Sequence, residues 1–83
     1  MASFTEIDMR ALLVKVGLNP VPANAIECTF GELGLDSLAR IEIASRLREA
    51  YGADVEAELM NGEDLTLERV VAMVNAAVTS AVR

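Results

Sequence analysis

Apolar residues recur at helical spacing in three segments of this chain, and no segment alternates apolar and polar residues for long enough to form a strand. The first segment ends at Val16, the second ends at Tyr51, and the third follows Thr66. Between the last two, residues 56–61 are long enough for one short helix. The pattern therefore predicts an all-α fold, a small four-helix bundle of three main helices and one short helix.

The first helix has clear capping signals at both ends. Ser3 and Thr5 are both suitable N-caps, and Glu6 or Asp8 follows at the position that completes a capping box. Gly17 is placed to end the helix. The apolar stripe of this helix is expected to contain Met9, Leu12, Leu13 and Val16, widened by Ile7, Ala11 and Val14.

The second helix is expected to begin at Asp36 or Ser37, with the Asp36 carboxylate as N-cap and Gly52 as C-terminal cap. Its core stripe is expected to contain Ile43, Leu47, Ala50 and Tyr51. The long connection before it, residues 18–35, is expected to include a helical turn, because structureless loops of this length are uncommon. The apolar residues expected to hold this connection against the core are Ile26, Phe30, Leu33 and Leu35. Residues 67–81 keep helical periodicity in the last helix.

Composition disfavours several functional classes. The chain has 83 residues, which fits one domain spanning residues 1–83, and a net charge of −6, which disfavours binding to nucleic acid. Cys28 is the only cysteine, so no internal disulfide and no cysteine metal site is expected, and a buried thiol is the simplest interpretation. The chain lacks a signal-peptide pattern and a bilayer-length apolar stretch, which predicts a cytoplasmic protein that does not enter a membrane.

Residues 34–38 have the sequence Gly-Leu-Asp-Ser-Leu and place one serine hydroxyl at the start of the second helix. The chain has no histidine, so Ser37 has no imidazole base to activate it, and no catalytic residue is expected. A helix N-terminus instead offers free N–H groups and a positive dipole end, both favourable to a phosphate. We therefore expect Ser37 to be modified rather than to catalyse. The plain alternative is an ordinary serine at a helix start.

Residues 30–38, Phe-Gly-Glu-Leu-Gly-Leu-Asp-Ser-Leu, resemble the phosphopantetheine attachment region of acyl carrier proteins, and the resemblance extends over residues 4–79. It implies an acyl-carrier-protein-like bundle in which a phosphopantetheinyl transferase, with magnesium, moves phosphopantetheine from coenzyme A to Ser37. It also implies that Asp36 helps to engage the transferase and that Gly34 leaves room for it. The attached arm would then hold acyl groups as thioesters.

A second apolar side of the second helix has a different expected role. Leu38 and Ile41 lie away from the core stripe, and the resemblance implies that they form a docking patch with Glu42. Arg40 is assigned to the same patch. Plain burial of Leu38 and Ile41 is the alternative. The implied partners are the transferase, a ketosynthase, an acyltransferase and tailoring enzymes. The chain is expected to be a monomer that visits each of them.

The charge of the second helix departs from the strongly acidic form that is usual in fatty-acid carriers. The acidic residues of the helix and its N-cap are Asp36, Glu42 and Glu49. Their negative charge is offset by three arginines, Arg40, Arg46 and Arg48. Positive charges disfavour partners built for an acidic carrier, which favours polyketide synthesis over fatty-acid synthesis. A peptidyl or aminoacyl carrier of nonribosomal synthesis and an unmodified helical adaptor are the alternatives. The small residues Ala39, Ala44 and Ala50 would permit an apolar cavity.

Overall fold

The structure is a computed structural model and describes residues 4–82. Its elements in chain order are α1 Glu6–Lys15, a 3-10 turn Ala25–Glu27, α2 Ser37–Tyr51, α3 Glu56–Asn61 and α4 Leu67–Val82. Within residues 4–82, the only strand-like pairing is an isolated bridge between Thr29 and Thr66. The predicted all-α bundle of three main helices and one short helix is therefore confirmed. Ser3 and the side chain of Ala81 lie outside the described part of the chain.

The capping box of α1 forms as predicted, with Thr5 as N-cap and Asp8 as its partner. The Asp8 amide donates to Thr5 Oγ1 at 3.2 Å, and the Thr5 amide donates to Asp8 Oδ2 at 3.0 Å. This exchange satisfies two N–H groups that a helix start would otherwise leave without acceptors. Val16 is the C-cap and Gly17 follows it, so the predicted end of the helix is confirmed within one residue.

The expected widening of the α1 stripe is wrong. Met9 and Leu13 are fully buried, but Ile7 is 78% exposed, Val14 is 48% exposed and Ala11 is also exposed. The physical reason is that α1 packs against α4 along one side, and the 3.6-residue period turns these three positions away from it. An apolar side chain in a helix is buried only where a neighbouring element covers it.

One core unites all four helices and the connection before α2. Its largest fully buried side chains are Phe4, Met9, Leu13, Phe30, Ile43, Leu47, Leu59, Leu67, Val70 and Val74. The start of the described chain is tied to α4 because the Phe4 amide donates to Asn75 Oδ1 at 2.9 Å and Asn75 Nδ2 donates to Phe4 O at 2.8 Å. The Phe4 ring also meets the Tyr51 ring edge to face at 5.1 Å, which ties it to the end of α2.

The core stripe of α2 differs from the prediction at two positions. Ile43 and Leu47 are fully buried and Tyr51 is half-buried, as expected, but Ala50 is exposed and Ala44 is buried. Ala50 faces an open cleft of about 370 Å³ between α1 and α2, which no side chain of the described residues fills. Ala39 packs against the core, so the three small residues do not line one shared cavity.

The connection between α1 and α2 is held to the bundle at several points. It contains the predicted helical turn, its residues Phe30 and Leu35 are buried, and Ile26 and Leu33 pack partly against the core. Cys28 is only half-buried, so the expectation of a buried thiol is wrong. The backbone explains this position: the Leu67 amide donates to Cys28 O at 3.0 Å and holds the loop along the edge of α4.

Candidate functional site

The loop that leads into α2 is a compact turn built by its own hydrogen bonds. The Leu35 amide donates to Phe30 O at 2.9 Å, and the Gly34 amide donates to Gly31 O at 3.0 Å. Thr29 and Glu32 exchange two further bonds, each side chain accepting from the other residue's amide at 2.9 and 3.2 Å. Because Phe30 and Leu35 are also buried, this turn fixes where α2 begins.

Gly34 allows the backbone to change direction two residues before the helix N-cap. Its φ is +74°, a left-handed conformation that costs an L-residue with a Cβ about 1–2 kcal/mol. A Cβ built at this position would meet no atom of the described chain within 4 Å. Backbone conformation, rather than crowding within the protein, therefore explains the glycine. That Gly34 also leaves room for a transferase stays a prediction.

Asp36 is the N-cap of α2, as predicted from the sequence. Its backbone is extended, with φ −88° and ψ −174°, and its Oδ1 accepts from the Ala39 amide at 3.0 Å. The carboxylate also places negative charge at the positive end of the helix dipole. Asp36 therefore fixes the first turn of the helix on which Ser37 lies.

Ser37 is the first residue of α2, and its side chain is exposed to solvent. Within residues 4–82, no side chain forms a hydrogen bond with its hydroxyl, so no general base of the chain is positioned to activate it. An outside enzyme can reach this oxygen without moving any part of the bundle. The arrangement is therefore suited to modification by another protein.

Arg40 lies one turn after Ser37 and has an unusual environment. Its guanidinium carbon is 5.6 Å from the centroid of the buried Phe30 ring, a cation–π contact. Its Nε is buried and has no hydrogen-bond acceptor in the described structure. Leaving such a donor without an acceptor costs about 1–3 kcal/mol. The sequence assigned Arg40 to the docking patch, and its contact with Phe30 was not predicted, because Phe30 lies in the preceding loop and not in α2.

Leu38 and Ile41 are exposed on α2, so the alternative that they are plain core residues is wrong. Leu38 is 75% exposed and Ile41 is 41% exposed. Glu42, the third expected member of the patch, is exposed but accepts from Arg46 Nη2 at 2.7 Å. This ion pair at i,i+4 spacing was not predicted, although its spacing is visible in the sequence. The structure brings the four expected patch residues onto α2, and their use in docking stays a prediction.

Three other features of the described residues bear on function. No group of three or more His, Cys, Asp or Glu side chains within them could hold a metal ion. At the open cleft, Tyr51 has a raised pKa because burial disfavours the phenolate and because the Asp8 carboxylate lies nearby. Among the described helices, none is both long enough and apolar enough to cross a membrane.

Three features at this point suit an attached group that is negatively charged. They are the exposed Ser37, the N-terminus of α2 and the guanidinium of Arg40, which has no ion-pair partner within residues 4–82. This arrangement is suited to a protein to which another protein attaches a group. A comparison with protein families supports this class, since the family model described as a phosphopantetheine attachment site matches residues 9–74. The chain belongs to this family of phosphopantetheine-carrying proteins.

The match covers most of the 83 residues and includes the whole of α2 and α3. No curated protein and no solved structure gave a match to the chain. The family identifies covalently attached phosphopantetheine as the prosthetic group. Its domains are generally non-catalytic carriers that interact with a phosphopantetheinyl transferase and with enzymes of synthesis.

Proposed function

We propose that Ser37 is the attachment residue and that the chain is a free-standing acyl carrier protein of polyketide synthesis. The observation on which this depends most is the position of Ser37. It is the exposed first residue of α2, and it lies inside the segment that the family model matches. The immediately preceding residues hold it there through the compact turn and the Asp36 N-cap.

Attachment transfers the phosphopantetheinyl group of coenzyme A to the Ser37 oxygen. The Ser37 oxygen forms a bond to the phosphorus next to pantetheine in coenzyme A, and the bond from that phosphorus to the bridging diphosphate oxygen breaks. The nucleotide leaves with both electrons of that bond, and the hydroxyl proton passes to a base of the transferase, because no described residue of this chain is positioned to accept it. Asp36 directly precedes Ser37 in the sequence, and its carboxylate would engage the transferase and its magnesium.

The attached arm supplies a terminal thiol that holds acyl groups as thioesters. The protein's own residues contribute recognition. Leu38 and Ile41 present apolar surface next to Ser37, and Glu42 and Arg40 add charge beside it. A partner that docks on this side of α2 would bring its active site close to the point of attachment. Tethering then raises the concentration of the acyl group at that active site.

The assignment to polyketide synthesis depends on the charges of α2. This helix contains three arginines and two glutamates, namely Arg40, Arg46, Arg48, Glu42 and Glu49, and the Glu42 carboxylate is already paired with Arg46. A partner enzyme with a basic docking surface would find little free negative charge here and would be repelled by the arginines. Six of the thirteen acidic residues lie after α2 and are exposed: Asp54, Glu56, Glu58, Glu63, Asp64 and Glu68.

Intact-mass measurement tests the attachment residue. The purified protein is incubated with coenzyme A, magnesium and a broad-specificity phosphopantetheinyl transferase. We expect a gain of one phosphopantetheine, no gain for Ser37→Ala, and a normal gain for Ser45→Ala, which removes the other serine of α2. Loading of Ser37→Ala would contradict the proposed site, and failure of every variant to load would support the unmodified adaptor instead.

Partner selectivity tests the pathway. The loaded protein, carrying malonyl or acetyl groups, is offered to a ketosynthase of polyketide synthesis and to one of fatty-acid synthesis. We expect faster turnover with the polyketide enzyme because of the charges on α2. Equal or faster turnover with the fatty-acid enzyme would contradict the assignment. Loading by an adenylation enzyme with an aminoacyl group would instead support a role in nonribosomal synthesis.

A further inference from the structure

Arg40 lies where the first turn of α2 meets the loop that precedes it. Its amide donates to Asp36 O at 3.1 Å, so its backbone belongs to the same helical turn as Ser37. Residues three apart in a helix lie on neighbouring parts of one face, and helical side chains lean toward the N-terminus. Arg40 therefore lies on the side of α2 that carries Ser37, and its guanidinium lies over the ring of Phe30 in the preceding loop.

The positive charge of Arg40 has no negative partner within residues 4–82. The one ion pair among them joins Arg46 to Glu42, and the Nε of Arg40 has no acceptor. The Phe30 ring contacts the guanidinium from one side and supplies a π face, but it supplies no oxygen for the N–H groups. The Nε itself is shielded from solvent, but the residue is only half-buried and no carboxylate within residues 4–82 balances its charge. Such a cation is suited to bind an anion that the described part of the protein does not contain.

We propose that Arg40 holds the phosphodiester through which the arm is attached to Ser37. This inference rests on the proposed function, because attachment at Ser37 is what places an anion here. The phosphodiester would add one negative charge and two unesterified oxygens directly at the Ser37 oxygen. A guanidinium binds such a group well because its planar set of N–H donors matches two phosphate oxygens.

Arg40 would then be a positioning residue rather than a catalytic one. It would hold the base of the arm against the loop at Phe30 and leave the distal part of the arm free to reach partner enzymes. This role is separate from docking, since it operates within the isolated protein. It also gives a reason for an arginine at this position, where it is only half-buried and has no carboxylate partner in the part of the chain that the structure describes.

Nuclear magnetic resonance of the isolated loaded protein tests the contact. The samples are the wild type, Arg40→Gln, Arg40→Lys and the control Arg48→Gln, which removes the same charge from an exposed position on α2. Each is loaded to completion, which intact mass verifies. We expect Arg40→Gln to shift the phosphorus resonance by more than its line width, Arg40→Lys to shift it less, and Arg48→Gln to leave it in place.

The wild type supplies a second readout that requires no variant to fold. We expect the Nε–H resonance of Arg40 to move on loading, and the change to become smaller as salt is added. An unmoved Nε–H resonance together with a phosphorus resonance that is the same in all loaded variants would overturn the inference. If Arg40→Gln does not fold, the Nε–H resonance alone decides. Failure of the wild type to load is a different result, and it would contradict the proposed function instead.

Discussion

The two ends of α2 have the same kinds of residue in opposite environments. At the N-terminal end, Leu38 is 75% exposed and Arg40 has no carboxylate partner among the described residues. Toward the C-terminal end, Leu47 is fully buried and Arg46 is paired with Glu42 at 2.7 Å. The helix therefore differs along its length: its later turns bury apolar side chains in the bundle, and its first turn leaves Leu38 and Arg40 without partners among the described residues.

The ends of the helix are stabilised differently as well. Asp36 caps the N-terminus with its side chain, whereas Gly52 ends the helix with a left-handed backbone, φ +69°. The N-cap thus places a carboxylate beside the proposed attachment serine, but the C-cap adds no functional group. A residue at the N-terminal end can contribute both to the stability of the fold and to recognition by another protein. Substitutions there must therefore be chosen so that the two effects are measured separately.

The largest expected difference between the ends is in stability. Leu47→Ala removes a fully buried side chain, and we expect the free energy of unfolding to fall by about 2–5 kcal/mol. Leu38→Ala removes an exposed one, and we expect a change within about 0.5 kcal/mol. Chemical denaturation followed by circular dichroism measures both. Similar losses for the two variants would break the distinction between a structural and an available end of α2.

The N-cap gives a smaller and more specific effect. Asp36→Ala is expected to lower the free energy of unfolding by about 0.5–2 kcal/mol, because the Ala39 amide loses its acceptor. Asp36→Asn keeps a capping oxygen, so we expect nearly wild-type stability but slower loading by the transferase, since the carboxylate is gone. Denaturation and the time course of mass gain separate the roles. Wild-type loading rates for Asp36→Asn would show that Asp36 serves only as a cap.

The smallest expected effect is at the last residue of α2. Burial, reinforced by Asp8, raises the pKa of Tyr51, so the folded protein favours the neutral phenol. This contribution is complete below the ordinary tyrosine pKa of about 10 and is lost as pH rises through the higher folded value. Because Tyr51 is the only tyrosine, phenolate absorbance reports it directly.

We expect this absorbance to appear at higher pH in the folded protein than in denaturant. Tyr51→Phe keeps the aromatic contact with Phe4 and should lose less stability above pH 10 than the wild type does. Coincident titration curves for the folded and unfolded protein would show that the end of α2 does not shield the phenol.

The sequence predicted those parts of the structure that local interactions determine. The Thr5–Asp8 capping box, the Asp36 N-cap and the start of α2 at Ser37 depend on residues within a few positions of one another. Helix-cap chemistry specifies such features without knowledge of the rest of the fold. For that reason, the element on which the candidate site lies could be placed from the sequence.

Features that depend on tertiary packing could not be predicted in the same way. Ile7 and Ala50 were expected in the core, but α1 packs mainly against α4 and leaves an open cleft beside α2. The position of Arg40 over Phe30 depends on how the preceding loop folds back, which residue spacing within a helix does not reveal. The sequence places Arg46 and Glu42 four residues apart, which permits an ion pair. The same spacing is compatible with two charges that do not pair, so the ion pair could not be predicted.

Locating the arm by mass spectrometry tests the central claim most directly. Cleavage of the loaded protein after lysine and arginine releases residues 16–40, a fragment with one serine, Ser37, and one threonine, Thr29. We predict that phosphopantetheine is found on this fragment and that further fragmentation assigns it to Ser37. An arm on Thr29, on any other fragment, or on none would contradict the conclusion that the exposed start of α2 is the site at which this carrier is loaded.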